Sequence, residues 1–373
     1  MSENLALSRQ LPFHRLKIAK KQLLTKNTFL LELEVPPLLA DNFRYNAGQY
    51  LTFRLEVSGV SVTRDFSMCS APYENTLAFA LKMNDGEGFA ASVYKNFEVG
   101  DEIEVSEPRG RFTLYSKPHE FRTILGFAAG IGITPVISHL KQILHQEPRT
   151  RFFLFYTNKN YASIALRGEL DVLQNRYGER LQIFYFLTQE GTPNPLLRGR
   201  ITRGKIKLII NQILSLDDTD EESTIWDAVD EVLICGSGAM IKETANACFE
   251  EGIPKRNIHF ELFEEFNEDI YPVGQSFPLL EDIQITFTIN RQNYTTTLPN
   301  NQSKILQQLL EQKFPVPYSC KSGICGSCVC QLKKGDVELI ENEYLTEKEE
   351  ASGLILACMA VPMSQDIHLN FDI

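Results

Sequence analysis

The chain has 373 residues, 48 of them acidic and 37 basic, with a formal net charge of −11. The length exceeds one ordinary hydrophobic core, so two or three domains are expected. The acidic excess would repel nucleic-acid phosphates, which argues against a nucleic-acid partner. The N-terminal MSENLALSRQ holds no apolar signal segment. The most apolar long stretch, TILGFAAGIGITPVIS at 123–138, is broken by three glycines and a proline and is too short to cross a bilayer comfortably. The expectation is no membrane span and a reducing, cytoplasmic setting, where clustered cysteines serve metals or catalysis more often than disulfides.

Residues 12–117 read as strands. GQYLTFRLEV alternates, placing Leu51, Phe53, Leu55 and Val57 on one face. TLAFALKMN and GDEIEVSEPRGRF are further strand-and-turn units. Many short strands without a helical period predict an antiparallel barrel. Two stretches stand out within it: RDFSMCSAP at 64–72, and GEGFAASVYKNF at 86–97, a glycine-bearing turn opening a helix.

From residue 118 to 266 the rhythm becomes strand and helix in alternation. RTILGFA, RFFLFYT, LQIFYFLT and EVLICG are apolar runs with helical segments between them, which predicts a parallel sheet covered by helices. The turn AAGIGITPV at 128–136 is not the G-x-G-x-x-G fingerprint. Gly130 and Gly132 nonetheless permit close backbone approach. Thr134 reads as an N-cap and Pro135 as the first helical residue, leaving free N–H groups for phosphates. In such sheets an acidic residue at the end of the second strand favours a free ribose 2′-hydroxyl. Here that strand ends in Asn158, Lys159 and Asn160, with Arg167 further on and no carboxylate in view, so NADPH is expected over NADH.

Residues 267–280 read as an acidic linker bearing proline and glycine. Residues 281–373 open with an alternating hairpin around Asn290–Asn293. A short helix follows, with Ile305, Leu306, Leu309 and Leu310 at helical spacing and Ser303 as its cap. Cys320, Cys325 and Cys328 then have the spacing C-x4-C-x2-C, and Cys358 follows in ILACMAVP. This is plant-type [2Fe–2S] spacing. A zinc site would want a second short pair of cysteines, and a redox C-x-x-C would need neither Cys320 nor Cys358. Gly323, Gly326 and Ser327 let backbone amides come close to the sulfurs. Cys330, two residues beyond Cys328, reads as a strand residue and not a ligand.

These stretches carry a resemblance that covers nearly the whole chain. Residues 281–373 resemble a plant-type ferredoxin domain of β-grasp, α+β architecture. RDFSMCSAP resembles the R-x-[YF]-S element of the ferredoxin–NADP reductase superfamily, AAGIGITPV its G-x-G-x-T-P turn, CGSGAM its C-G-x-x-x-M, and HFELF its E-x-F ending. The chain as a whole is similar to reductase components of multicomponent oxygenases, notably the phenylacetyl-CoA oxygenase type. The resemblance implies an antiparallel β-barrel flavin domain at 12–117, an α/β parallel-sheet nucleotide domain at 118–266, a linker at 267–280 and a ferredoxin domain at 281–373.

It also implies roles for individual residues. Arg64 would hold the pyrophosphate of FAD, Phe66 would pack on its ring, and Ser67 would sit near the reactive edge. Lys82 would join the cofactor-binding set. Gly88 and Phe89 would open the phosphate-binding helix, where Ala90 stands in place of the family's serine. Gly130, Gly132, Thr134, Pro135, Asn158, Lys159, Gly236 and Met240 would bind the dinucleotide. Ser67 and Cys235 would face the transferred hydride. The implied activity is an NAD(P)H-dependent oxidoreductase that passes electrons through FAD and a [2Fe–2S] cluster to a separate acceptor protein. An oxygenase, an acyl-CoA desaturase or a hybrid-cluster protein could fill that place. A self-contained reductase of a small molecule is the competing reading. The acidic run GDVELIENEYLTEKEE at 335–350 suggests that Glu338, Glu341, Glu343 and Glu347 meet a basic face of the acceptor.

Overall fold

The computed structural model describes residues 12–57, 60–84, 88–213, 229–264, 266, 268–271, 277–318, 321, 323, 326–340, 342 and 344–373. The chain separates into two compact units, Leu11–Phe266 and Asn267–Ile373.

The first unit opens with strands β1 (Phe13–Thr25), β2 (Thr28–Glu34), β3 (Tyr50–Val57), β4 (Val60–Ser67) and β5 (Leu77–Lys82), helix α1 (Gly88–Asn96) and strand β6 (Glu102–Ser106). The six strands form one antiparallel sheet in the order β4-β3-β6-β1-β2-β5. A bridge between Met68 and Phe79 joins its two edges, so the sheet curls into a barrel. The period-2 pattern explains the interior: Leu51, Phe53 and Leu55 are all buried, with Phe29, Leu31 and Phe79 opposite. The side chain of Val57 lies outside the described set.

The chain then alternates: β7 (Thr123–Ala129), α2 (Ile133–Gln146), β8 (Arg151–Asn158), α3 (Arg167–Tyr177), β9 (Leu181–Leu187), α4 (Arg203–Ile213), β10 (Glu231–Gly236), α5 (Gly238–Glu250) and β11 (Ile258–Leu262). All neighbours pair in parallel, in the order β11-β10-β7-β8-β9. The strand carrying CGSGAM is therefore not the last: β11 follows it and forms the edge. The barrel and this sheet share one apolar core, in which Cys69, Ala78, Ala80 and Phe112 pack with Val136, Ile137 and Leu140 of α2.

Two expected caps are corrected. Helix α2 begins at Ile133, with Gly132 in the N-cap position, so Thr134 and Pro135 are its second and third residues. A 3-10 turn over Gly130–Gly132 has already coiled the chain, and Thr134 Oγ1 donates to Ile131 O at 3.1 Å. Pro135 costs nothing there, because the first four helical amides lack helical partners anyway. In the second unit Lys304, not Ser303, occupies the N-cap of the helix at 305–311.

The second unit contains β12 (Glu281–Ile289), β13 (Gln292–Asn300), α6 (Ile305–Glu311), β14 (Val329–Lys334), β15 (Val337–Leu339), α7 (Glu347–Ala351), β16 (Leu354–Leu356), β17 (Ala360–Pro362) and β18 (Asp366–Asn370). Five strands form a mixed sheet in the order β13-β12-β18-β14-β16, and α6 contributes Ile305, Leu306 and Leu309 to its core. The β12–β13 hairpin turns on Asn290 and Arg291, both with positive φ, as a two-residue turn requires. Asp269 pairs with Lys304, and Ile270 and Tyr271 are buried in this unit. Among the described residues no helix is long and apolar enough to cross a membrane.

One buried ion pair ties the nucleotide sheet together. Arg122, at the start of β7, grips Glu147, at the end of α2, through Nε and Nη2; both side chains are within 1% of complete burial. Thr150 Oγ1 (2.6 Å) and the Lys117 amide (2.9 Å) donate to the same carboxylate. Burial works against the Glu147 charge, but Arg122, Thr150 and Lys117 outweigh it and hold the carboxyl below the usual range. The stabilisation is therefore present above the ordinary carboxylate pKa and is lost only as pH falls through the depressed value. Removing one partner leaves the other charge buried and uncompensated. Glu147→Gln should destabilise the first unit by about 3–5 kcal/mol. Denaturant unfolding checks this, and a loss below about 1 kcal/mol would refute it.

Candidate flavin, dinucleotide and cluster sites

The residues expected to meet a flavin gather at one end of the barrel. Arg64, Phe66 and Ser67 lie on β4, whose alternation sends Arg64 out to solvent and Ser67 to a buried position. Arg64 donates to Thr63 O at 2.8 Å, and no carboxylate pairs with it among the described residues. Its guanidinium is thus available to a diphosphate. Phe66 is half-buried, edge-on to Phe53 (5.2 Å) and tilted against Phe89 (5.7 Å). Gly88 opens α1, and Ala90 is buried in the barrel core. Ser92, the nearest hydroxyl, donates to Gly88 O at 3.1 Å within the helix. A phosphate at this place would rest on the free amides of the helix start.

Three of the dinucleotide candidates, Gly130, Asn158 and Lys159, line a cavity of about 370 Å³, and Gly132, Thr134, Pro135, Gly236 and Met240 are not part of its lining. It lies where Lys82 and Met83 at the end of β5 meet Gly130, Ile131, Asn158 and Lys159. The Gly130 turn is held from behind, since buried Tyr156 donates its hydroxyl to Gly130 O at 2.8 Å. Gly132 cannot be replaced by a larger residue: an added Cβ would stand 2.4 Å from Cys235 O. Gly236 is packed between Met240 Sδ and Ala129 Cβ, so CGSGAM and AAGIGITPV form one surface. The cavity fits a polar ligand. Thr157 Oγ1 and Asn158 Nδ2 are buried without a partner, and a buried unsatisfied group costs about 1–3 kcal/mol. Two lysines at the rim suit phosphate.

The corner at the end of β8 is not free of carboxylates. Glu190, from the loop after β9, accepts from the Tyr161 amide at 2.8 Å through Oε2. It is distant in sequence from Asn158, and only the parallel β8–β9 register brings it there. Arg167 stands over the Tyr161 ring at 5.2 Å and is half-exposed.

Ser67 and Cys235, the two candidate catalytic residues, come from different domains and meet through a third. Ser67 Oγ donates to Glu261 Oε2 at 3.1 Å. Glu261 is the register partner of Cys235 across the parallel β10–β11 pair. Burial pushes the Glu261 carboxyl up to about 8, against the Ser67 hydrogen bond, which favours the charged form. At neutral pH it is therefore mostly protonated. Burial also raises the Cys235 thiol well above its ordinary value, with Glu261 adding to the effect, so Cys235 stays neutral. The sequence contained HFELF, but nothing in it showed that Glu261 faces Ser67.

In the second unit Cys328 and Cys358 converge, both buried. The Cys358 amide donates to Cys328 Sγ at 3.4 Å, and the Gly323 amide to Cys358 Sγ at 3.3 Å. Such amides stabilise thiolate charge, so the donor set fits an iron–sulfur cluster. Gly326 has φ +66°, and a Cβ there would lie 2.4 Å from the Tyr344 ring. Cys320 and Cys325 lie outside the described residues. Cys330 is buried in β14 as part of the apolar core, and its thiol is pushed well up by burial.

Comparison with known proteins identifies three domain families along the chain. An oxidoreductase FAD-binding domain family matches residues 15–114, an oxidoreductase NAD-binding domain family residues 127–246, and a 2Fe-2S iron-sulfur cluster binding domain family residues 287–363. The chain is 29% identical to a component of the 1,2-phenylacetyl-CoA epoxidase of Escherichia coli K12, over 96% of this chain and 98% of that protein. It is 28% identical to the ferredoxin reductase component of a 3-ketosteroid-9-alpha-monooxygenase of Rhodococcus rhodochrous, over 93% of each. A solved phthalate dioxygenase reductase, described as a modular structure for electron transfer from pyridine nucleotides to [2Fe-2S], superposes with a TM-score of 0.52 at 25% identity, over 96% of this chain and 98% of that one. FAD-binding, NAD-binding and 2Fe-2S domains thus follow one another along the chain, and its relatives over nearly the full length are reductase components of oxygenase systems: the chain is an oxidoreductase that carries FAD-binding, NAD-binding and 2Fe-2S cluster domains.

Proposed function

We propose that the chain draws electrons from NADPH and delivers them one at a time to a separate oxygenase component. One observation carries most weight: a candidate dinucleotide cavity and a candidate flavin strand lie in one unit, while a second unit holds converging cysteines. Relatives that match end to end are named as parts of oxygenase systems, a ferredoxin reductase component among them. The flavin, when bound, accepts a pair of electrons and releases them singly, which the cluster requires. The chain's own residues bind and orient. Arg64 and the start of α1 take the flavin's diphosphate, and Phe66 covers its ring. The Gly130–Gly132 turn and Lys159 take the dinucleotide, while Cys320, Cys325, Cys328 and Cys358 hold the cluster. Ser67 and protonated Glu261 can supply or accept a proton beside the ring. We place these roles in domains 12–117, 118–266 and 281–373, joined by 267–280. A reducing cytoplasm suits the thiol-rich cluster loop. Of the acidic residues suggested for docking, Glu338 and Glu347 are exposed, and Glu341 and Glu343 lie outside the described residues.

The division of labour has a direct test. Cys358→Ser should abolish the visible and electron-spin signals of the cluster while FAD stays bound, because the second unit has its own core. NAD(P)H-driven reduction of ferricyanide should survive, and reduction of cytochrome c should fall sharply. A variant with a normal cluster spectrum would remove Cys358 from the ligand set.

The proton role of Glu261 gives a pH signature. The rate of flavin reduction by NAD(P)H should inflect near pH 8, where this carboxyl loses its proton. Glu261→Gln should flatten that inflection and slow reduction by about 100-fold, with FAD content unchanged. An unaltered inflection in the variant assigns it to another group.

The choice of dinucleotide rests on charge. Glu190 is engaged by the Tyr161 amide and Arg167 is paired with Asp171 at 3.9 Å, so Lys159, which lines the cavity, is the cation that favours a 2′-phosphate at this corner. The expected outcome is a higher kcat/KM for NADPH than for NADH. A strong preference for NADH would overturn the reading.

A further inference from the structure

Helix α2 begins at the candidate dinucleotide turn and, within about two turns, is bonded to the segment that follows the candidate flavin strand and to Phe112. Ser138 Oγ donates to Ser70 O at 2.6 Å. His139 Nε2 lies 2.7 Å from Phe112 O, and burial lowers its pKa to about 4, so the neutral ring donates its N–H there. Lys141 Nζ donates to Cys69 O at 2.9 Å. Cys69 and Ser70 lie two and three residues beyond Ser67, so the Ser138 and Lys141 bonds hold the backbone just past the serine.

Lys141 is the unusual member. It is only 3% exposed, and a buried ammonium is retained only when its donors are used. Here all three have acceptors: Cys69 O, Glu74 Oε2 at 3.1 Å and Glu169 Oε1. Glu74 belongs to the barrel and Glu169 to α3, so one nitrogen ties three elements together. Burial alone would lower the Lys141 pKa, but Glu169 and Glu74 outweigh it and the pKa is raised. Glu74 is fixed in turn, since its Oε2 also accepts from the Ala71 amide at 2.7 Å. Ser70 Oγ likewise accepts from the Ala78 amide and from the Tyr45 hydroxyl. A simple apolar interface would hold the two domains together without any of these bonds, and the shared core already supplies one.

We infer that Lys141, with Ser138 and His139, is a positioning device: it sets the separation between the flavin-bearing end of β4 and the dinucleotide turn at the start of α2. Lys141 lies eight residues from Ile133, or roughly 12 Å along a rigid helix. Hydride transfer needs the donor carbon and the accepting ring nitrogen at about 3–3.5 Å, and a misplacement of about 1 Å can cost about 100-fold in rate. Two domains joined only by apolar contact could slide by that much. Directional bonds to backbone carbonyls prevent it. This inference rests on the function proposed above.

The test uses the full-length protein loaded with FAD and cluster, with Lys141→Met, Lys141→Arg and Ser138→Ala beside the wild type. Lys141→Met should keep FAD content, the cluster spectrum and the dissociation constant for NADP⁺ within about twofold. Its rate of flavin reduction by NADPH in stopped flow should fall by about tenfold or more. The long-wavelength charge-transfer absorbance of stacked nicotinamide and flavin should weaken, a signal that lowered stability alone would not move. Lys141→Arg should recover most of both. Ser138→Ala removes a single bond without stranding a charge, so it decides the matter even if Lys141→Met fails to fold; it should slow reduction by about threefold at unchanged affinity. Wild-type reduction rates and charge-transfer absorbance in Ser138→Ala, or in a folded Lys141→Met, overturn the inference. A wild type that NADPH cannot reduce would sink the proposed function itself. Normal wild-type reduction beside equally fast variants would sink the positioning role alone.

Discussion

A hydride moves between two rings only when they are held almost in contact, and in this chain the two rings would be held by different domains. Much of the first unit can be read as a response to that constraint. The barrel supplies Arg64, Phe66 and Ser67 on one strand, and the parallel sheet supplies the Gly130–Gly132 turn and Cys235. The elements that join them are short and directional: Ser67 to Glu261, Ser138 to Ser70, Lys141 to Cys69. Gly132 leaves no room between α2 and β10, so the turn cannot drift from the strand that carries Cys235. Behind these contacts the buried Arg122–Glu147 pair anchors the far end of α2 to the start of β7. The helix is thus pinned at both ends, and its first turn inherits that rigidity.

The second unit solves a different problem. A cluster must be enclosed tightly enough to keep its thiolates charged, which calls for amide donors more than for bulk. The Gly323 and Cys358 amides point at sulfur, and Gly326 yields its side-chain volume to Tyr344. The surrounding core of Ile305, Leu306, Leu309 and Leu356 belongs to this unit alone. That independence lets an electron-carrying module be attached to a hydride-accepting one without redesigning either core.

Much of this was legible in the sequence because local pattern and chemistry agree. The period-2 alternation of Leu51, Phe53 and Leu55 placed a barrel strand, and the apolar runs flanked by helical periods placed a parallel sheet. The cysteine spacing named a cluster before any fold was known. What stayed hidden depends on long-range register. Glu261 faces Ser67 across 194 positions, and Glu190 reaches the β8 corner only because β9 lies beside it. Neither is visible to periodicity. The helix starts were misplaced for a local reason. A 3-10 turn at Gly130–Gly132 advanced α2 by two residues, and Lys304, not Ser303, took the N-cap of α6. At α2 a side-chain oxygen was a poor guide to the cap because the 3-10 turn had already coiled the chain, whereas at α6 the N-cap Lys304 is extended and caps with no side-chain hydrogen bond.

The central claim is that one polypeptide converts a two-electron donor into a one-electron supply through two cofactors in series. Anaerobic titration of the purified protein with NADPH, followed by low-temperature electron paramagnetic resonance, tests it most directly. The account predicts bleaching of the flavin together with the rhombic signal of a reduced [2Fe–2S] centre, integrating to nearly one spin per chain. A flavin that bleaches fully while the cluster stays silent, though dithionite can reduce it, would contradict the series arrangement.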